Sequence, residues 1–263
     1  MLYLGTADGH VSATRLSDST TIEEILSDVN HTHSDPILTM AVAIHGVIWA
    51  GTECGLHYLM PSMGSTWNSE DFCLGEETER PVDMLVEGRR LFVATESHGI
   101  HVIDYNISAS GSADPITIDR NTVWDTSDFL SGDSIADLAI ANDILYIATS
   151  DSGIDRLDLS SSSWLGSWTS SNWLASDTVV GLAATPGWLH ILGDEQVQAY
   201  DTDVLLFRSE TSLSDFALTG SGASISAWPG DLERAPGSSM ALVGDSSGTV
   251  SYTHLTLPTN REV

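Results

Sequence analysis

The chain contains no lysine: its nine basic residues are all arginine and face 37 Asp and Glu, for a formal net charge of −28. So large a negative excess repels a polyphosphate backbone and excludes nucleic acid as an expected partner. It fits a salt-adapted surface, where screening shortens the range of self-repulsion, and it fits plain solubility equally well. Cysteine is nearly missing too. Cys54 and Cys73 supply neither a four-ligand zinc site nor a disulfide-dense scaffold, and one bridge or two unpaired thiols both stay open. No stretch approaches the roughly 20 consecutive apolar residues of a membrane-spanning helix. Met1 runs straight into Leu2-Tyr3-Leu4 with no charged-then-apolar export segment.

What the chain does have is 41% hydrophobic residues in 263, ample for a large core, and a pattern that recurs almost throughout. An apolar strand ends in a small residue, a short polar turn follows, usually with a Gly, and a second strand leaves it. The copies are LYLGTADGHVSATRL from Leu2, VIWAGTECGLHYL from Val47, LFVATESHGIHVID from Leu91, LYIATSDSGIDRLD from Leu145, LHILGDEQVQAYD from Leu189 and ALVGDSSGTVSY from Ala241. Their small residues, Gly5, Gly51, Ala94, Ala148, Gly193 and Gly244, are 46, 43, 54, 45 and 51 apart. A second register precedes the last five copies. Ile37, Val82, Ile135, Val179 and Ile225 each have a large apolar residue three positions on, and they span 188 residues in four steps, a mean of 47.

A period of about 40 to 50 residues with short strands and Gly-bearing turns is that of a four-stranded β-propeller blade. Helical solenoids of similar period need Ala, Leu, Glu and Lys at 3.6 spacing, whereas Ser, Thr, Gly, Asp and β-branched residues dominate here. In one unit of the repeat the first strand is expected over Ser134 to Ala141, with Asn142-Asp143 turning the chain. The second strand is expected over Ile144 to Thr149, Gly153 in the tight turn, the third over Ile154 to Leu159 and the outer strand over Trp164 to Trp168. Helical spacing occurs at Thr21 to Val29, through Ile22, Ile25, Leu26 and Val29, with Thr20 and Glu23 placed for a capping box. This segment is expected as an embellishment between blades, or else as an irregular outer strand.

VIWAGTECGLHYL, and with it LYIATSDSGIDRLD, resembles the repeat of two-component-regulator propellers, extracytoplasmic sensor modules. Their hairpin runs aromatic, apolar, small, Thr and closes on Gly. The resemblance covers about residues 1–249 and implies a ligand-binding or protein-contact surface, no catalysis, and a surface-exposed or secreted setting. Gly193-Asp194 and Gly244-Asp245 depart from it in lacking the Thr, and Val197 stands where Gly is usual. The expected fold is therefore all-β: about four full and two partial blades, from a propeller that continues beyond both ends. The final residues, 250–263 (VSYTHLTLPTNREV), carry one acidic residue in fourteen and resemble a translated sequencing-adapter peptide. A genuine third strand, with Tyr252 in an apolar repeat position, is the alternative.

Chemistry is sparse. GDSSG at 244–248 matches Gly-x-Ser-x-Gly, but it occupies a hairpin turn of the repeat, and a nucleophile elbow needs a strand-to-helix turn. His31, His33 and Asp35 alternate as metal ligands on a strand would, without a fourth ligand. Asn30-His31-Thr32 and Asn106-Ile107-Ser108 are short glycosylation-type sequons. No calcium loop, phosphate-cradling loop or dinucleotide fingerprint occurs, so no cofactor is expected. Trp49, Trp67, Trp164, Trp168 and Trp228 are expected to pack in the core or between blades. One pattern emerges only on stacking the copies: Asp8, Glu53, Glu96, Asp151, Asp194 and Asp245 put a carboxylate in every turn of the repeat. They are the candidate site, an acidic face for cations or for a basic ligand or protein partner. A propeller lyase or hydrolase with an incomplete site, or a structural surface protein, is the competing reading.

Overall fold

The computed structural model describes residues 2–7, 9–15, 20–26, 36–53, 55–60, 68–69, 79–108, 116–212, 224–229, 239–244 and 250–255. Every regular element among them is a β-strand. The strands form six antiparallel meanders in which each strand pairs with its neighbours in sequence. The chain divides into two compact units, Met1–Ile135 and Ala136–Val263.

The first unit holds a three-stranded sheet, β1 (Leu2–Gly5), β2 (Val11–Arg15) and β3 (Thr20–Leu26). Two four-stranded sheets follow. One is β4 (Ile37–Val42), β5 (Ile48–Thr52), β6 (Gly55–Leu59) and β7 (Asn68–Ser69); the other is β8 (Pro81–Glu87), β9 (Arg90–Thr95), β10 (Ile100–Ile107) and β11 (Ile116–Trp124). The second unit begins with β12 (Ile135–Ala141), β13 (Ile144–Thr149), β14 (Gly153–Asp158) and β15 (Ser163–Trp168). It continues with β16 (Val179–Thr185), β17 (Trp188–Gly193), β18 (Gln196–Asp201) and β19 (Leu206–Ser212), and then the three-stranded β20 (Ser224–Pro229), β21 (Ser239–Gly244) and β22 (Val250–Leu255). Four complete blades and two three-stranded ones make this the β-propeller architecture that the repeat implies.

The sequence dictates which strand lies deepest. In the complete blades the second strands β5, β9, β13 and β17 are buried along almost their whole length, and accordingly they are continuous apolar runs instead of alternating ones. In β5 the small residue near the end keeps room for a neighbour. A Cβ placed on Gly51 would stand 3.1 Å from the Pro81 ring, at the start of the next sheet's first strand. The outer strands β11 and β15 are largely exposed, as edges facing water should be.

Local chemistry sets the turns. Asn142 and Asp143 both take positive φ, 49° and 59°, the geometry of a two-residue hairpin that these residue types tolerate best. Gly153 has φ 92°, and a Cβ there would lie 2.1 Å from the Trp168 carbonyl oxygen. Aromatic rings join consecutive sheets within each unit. Trp49 of β5 meets Tyr58 at 5.4 Å and Tyr105 of β10 at 5.2 Å, edge-on in the second case. Trp168 of β15 meets Tyr200 of β18 at 4.5 Å, with the Arg156 guanidinium 4.6 Å from its ring centre. Trp49 and Trp168 thus have the packing role expected of them, while Trp164 stays 37% exposed on the outer strand. Trp67 lies outside the described residues, as does the side chain of Trp228.

One alternative left by the sequence is decided. The helically spaced stretch from Thr21 forms β3, paired with β2 from Arg15↔Thr20 to Val11↔Leu26. Pairing with a strand beyond the local window wins over the 3.6 period, and the β-branched Thr20, Thr21 and Ile22 favour it. Residues 250–255 form β22, paired with β21 from Gly244↔Val250 to Ser239↔Leu255; residues 256–263 lie outside the described set.

Candidate functional site

In a four-stranded meander, the turn between the second and third strands leaves from the same end as the connection that follows the fourth strand. The acidic positions occupy that end. Glu53, Glu96, Asp151 and Asp194 sit, exposed, in the β5–β6, β9–β10, β13–β14 and β17–β18 turns. Asp8 and Asp245 lie outside the described residues. Glu53 Oε1 is 3.6 Å from Arg80 Nε, with both side chains about half exposed, so the pair adds little stability and leaves the carboxylate available.

A threonine hydroxyl closes these turns. Thr95 Oγ1 donates to the Gly99 carbonyl at 2.9 Å and accepts the His98 amide at 3.0 Å; Thr149 does the same with Gly153 at 2.9 Å and Ser152 at 3.0 Å. Thr52 donates to the Gly55 carbonyl at 3.3 Å, and Thr6 donates to the His10 carbonyl at 3.1 Å and accepts its amide at 3.0 Å. This bonding accounts for the Thr after the small residue in the repeat. Asp194 replaces it in the β17–β18 turn, which consists of Asp194-Glu195.

A second construction at this end was not anticipated: the loop after the fourth strand is built alike in both units. In residues 125–134, Asp133 accepts the Thr126 amide at 2.7 Å and its hydroxyl at 2.9 Å; in residues 169–178, Asp177 accepts the Ser170 amide at 2.6 Å and its hydroxyl at 2.8 Å. Leu130 and Leu174 plug the two loops, 5% and 6% exposed. The Gly99 amide donates to the Asp133 carbonyl at 2.8 Å and the Gly153 amide to the Asp177 carbonyl at 2.9 Å, so each loop is tied to its own blade's acidic turn. Asp125, at the start of the first loop, is held below the usual carboxylate range by the hydroxyl and amide of Ser127.

Beneath the turns the third strands carry a polar residue in one register: His57, His101, Asp155 and Gln198. Two reach the loop that enters their own sheet. His101 Nε2 lies 2.8 Å from Glu79 Oε2, and Gln198 Oε1 accepts the Ala175 amide at 3.1 Å. His57 Nε2 is instead 3.2 Å from Thr52 Oγ1, and Asp155 is fully buried. Stacking the copies would have exposed this column, since each member stands at a fixed offset from the turn.

His31, His33 and Asp35, the Ser-bearing turn 245–248, the sequon at Asn30 and both cysteines lie outside the described residues. Asn106 sits within β10, where its amide accepts Arg89 Nη1 at 2.8 Å and donates to Asp119. Among the described residues no three His, Cys, Asp or Glu side chains gather as a metal site, and no helix is long and apolar enough to cross a membrane.

No protein-family model and no curated protein matches the chain. Solved structures do. Sqt1 of Saccharomyces cerevisiae superposes with a TM-score of 0.64 at 10% identity, over 96% of this chain and 68% of that one. The computationally designed protein Ika8 gives 0.55 at 12% identity, over 96% of this chain and 80% of its own. Both are propeller-like, and at such identities the likeness shows architecture alone.

Proposed function

We propose that the chain is a non-catalytic binding module of a surface-exposed or secreted protein, contacting a basic ligand or partner through the turn-and-loop end of its blades. A β-propeller supports a binding or scaffold role in general. The observation that carries the finer reading is the pairing of exposed carboxylates with hydroxyl-closed turns. Glu96 and Asp151 project from turns whose backbone is fixed by Thr95 and Thr149 and tied by Gly99 and Gly153 to the neighbouring loops. Rigid presentation lowers the ordering cost of association, and like charges in equivalent positions attract a cationic partner at rates that fall with salt. The resemblance of the hairpins to two-component-regulator repeats points to the same class, a sensor surface.

The test uses a nine-residue peptide of alternating Arg and Gly and its Glu-Gly counterpart, with binding followed by fluorescence anisotropy across a sodium chloride series. Binding of the Arg peptide alone, weakening as salt rises, supports the reading. Equal binding of both peptides, or of neither, overturns it.

A further inference from the structure

The loop of residues 169–178 differs from its twin at one telling position. In the first loop Phe129 folds back on Trp124, ring centres 5.2 Å apart, and is half-buried. The equivalent Trp173 lies nearly parallel to Phe207 at 5.8 Å and 24°, and leaves half its surface in water. Its backbone is held firmly nonetheless. The Thr169 carbonyl accepts the amides of Asn172, Trp173 and Leu174, each at 3.0 Å, and the Asn172 side chain accepts the Thr169 amide at 2.8 Å and donates to the Ser167 carbonyl at 3.2 Å.

The loop that carries this exposed indole, and the two turns bonded to it, hold carboxylates. Asp177 belongs to the loop itself. Asp151 is in the turn that the Gly153 amide ties to it, and Asp194 with Glu195 is in the turn that leads into β18, whose Gln198 side chain holds the loop at Ala175. Arg156 is the arginine of this unit whose side chain is described, and it lies over Trp168 with its guanidinium donating to the Leu165 carbonyl at 2.8 Å.

We propose that Trp173 is the anchor of this face, receiving an arginine side chain of a basic peptide segment while the surrounding carboxylates attract it. The proposal rests on the binding function above and names its contact. A guanidinium is planar, stacks on an indole face and remains charged at any physiological pH, which the carboxylates of the loop and its bonded turns reward. Trp and Arg are the residue types that concentrate binding energy at protein interfaces, and an indole already fixed in place loses little freedom on binding.

The experiment titrates the full chain, Trp173→Phe, Trp173→Leu and the pair Asp151→Asn with Asp194→Asn with the Arg-Gly peptide and with a Lys-Gly peptide of equal charge. Fluorescence anisotropy of the labelled peptides is read, and each variant's melting curve confirms folding. The expected result is a roughly five- to tenfold weaker Kd for the Arg peptide in Trp173→Leu. The loss should be smaller in Trp173→Phe, and the Lys peptide should respond less. If Trp173→Leu binds like the parent while the carboxylate variant weakens, the anchor is wrong and the acidic-face reading stands. If the parent binds neither peptide, both fall.

Discussion

The amide of Gly153 donates to the carbonyl of Asp177 at 2.9 Å, fastening the β13–β14 turn to the loop that leaves the same sheet. The contact requires Gly153 at φ 92°, with no room for a side chain: a Cβ would lie 2.1 Å from the Trp168 oxygen, a backbone atom that cannot swing aside. Gly153→Ala is expected to cost more than the about 1 kcal/mol of an ordinary left-handed substitution, on the order of 3 kcal/mol, because the clash adds to the strain. Chemical denaturation of the two proteins measures it. A loss below about 1 kcal/mol would mean that the turn can separate from the loop without consequence.

Leu205 presents the opposite case. It has φ 58° in the turn between β18 and β19 and is 58% exposed, so it bears the left-handed conformation with little burial in return. Gly would relieve the strain but would lose most of the gain through its freer unfolded chain, whereas Asn tolerates the region without that loss. Leu205→Asn is expected to stabilise by about 0.5–1 kcal/mol. For a chain of this size that is a rise of about 2 °C in melting temperature. A fall would show that the Leu205 side chain makes contacts worth more than the strain.

The pH dependence has a defined sign. His190 is completely buried in β17, and desolvation pushes its pKa down to about 4 from 6.5. The unfolded chain takes up this proton below about 6.5 and the folded chain only near 4, so the unfolded state binds more protons between those values. Stability from this group is complete above pH 6.5 and declines as pH falls toward 4, by roughly 3 kcal/mol in all. Denaturation midpoints from pH 7 to 4 should fall more steeply for the parent than for His190→Gln. Equal slopes would assign the acid sensitivity to other groups.

Much of this was legible because the hairpins are local. The bounds expected for β13, Ile144 to Thr149, are those observed, and Asn142-Asp143 and Gly153 turn the chain where their backbone preferences require. The segment at Thr20 was ambiguous because its partner β2 is set by sheet pairing, which periodicity in a short window does not see. The paired loops escaped notice for another reason. They are held by hydroxyl and carboxylate groups and have no apolar period, although Trp124 and Trp168, Leu130 and Leu174, and Asp133 and Asp177 all recur 44 residues apart. The acidic turns were found, but the half-exposed Trp173 was not, since only structure separates it from the buried Trp168.

The exposed turn carboxylates should make stability depend on salt. In the first unit Glu53 and Glu96 stand in equivalent turns, and the Arg80 side chain beside Glu53 offsets only part of the charge. Over the whole chain the net charge of −28 means that repulsion among carboxylates outweighs attraction. The Debye length shrinks from about 30 Å at 0.01 M salt to about 10 Å at 0.1 M, so sodium chloride should raise the melting temperature across that range. Glu53→Gln with Glu96→Gln should start higher and gain less. Calcium chloride at matched ionic strength separates screening from binding, because a shared ion needs several oxygen ligands at 2.3–2.6 Å, as a rule of calcium chemistry. A calcium effect beyond that of sodium, lost in the double variant, would establish a cation site at these turns. Equal effects of both salts would leave screening as the whole cause, and no effect of either would show the acidic turns to be energetically idle.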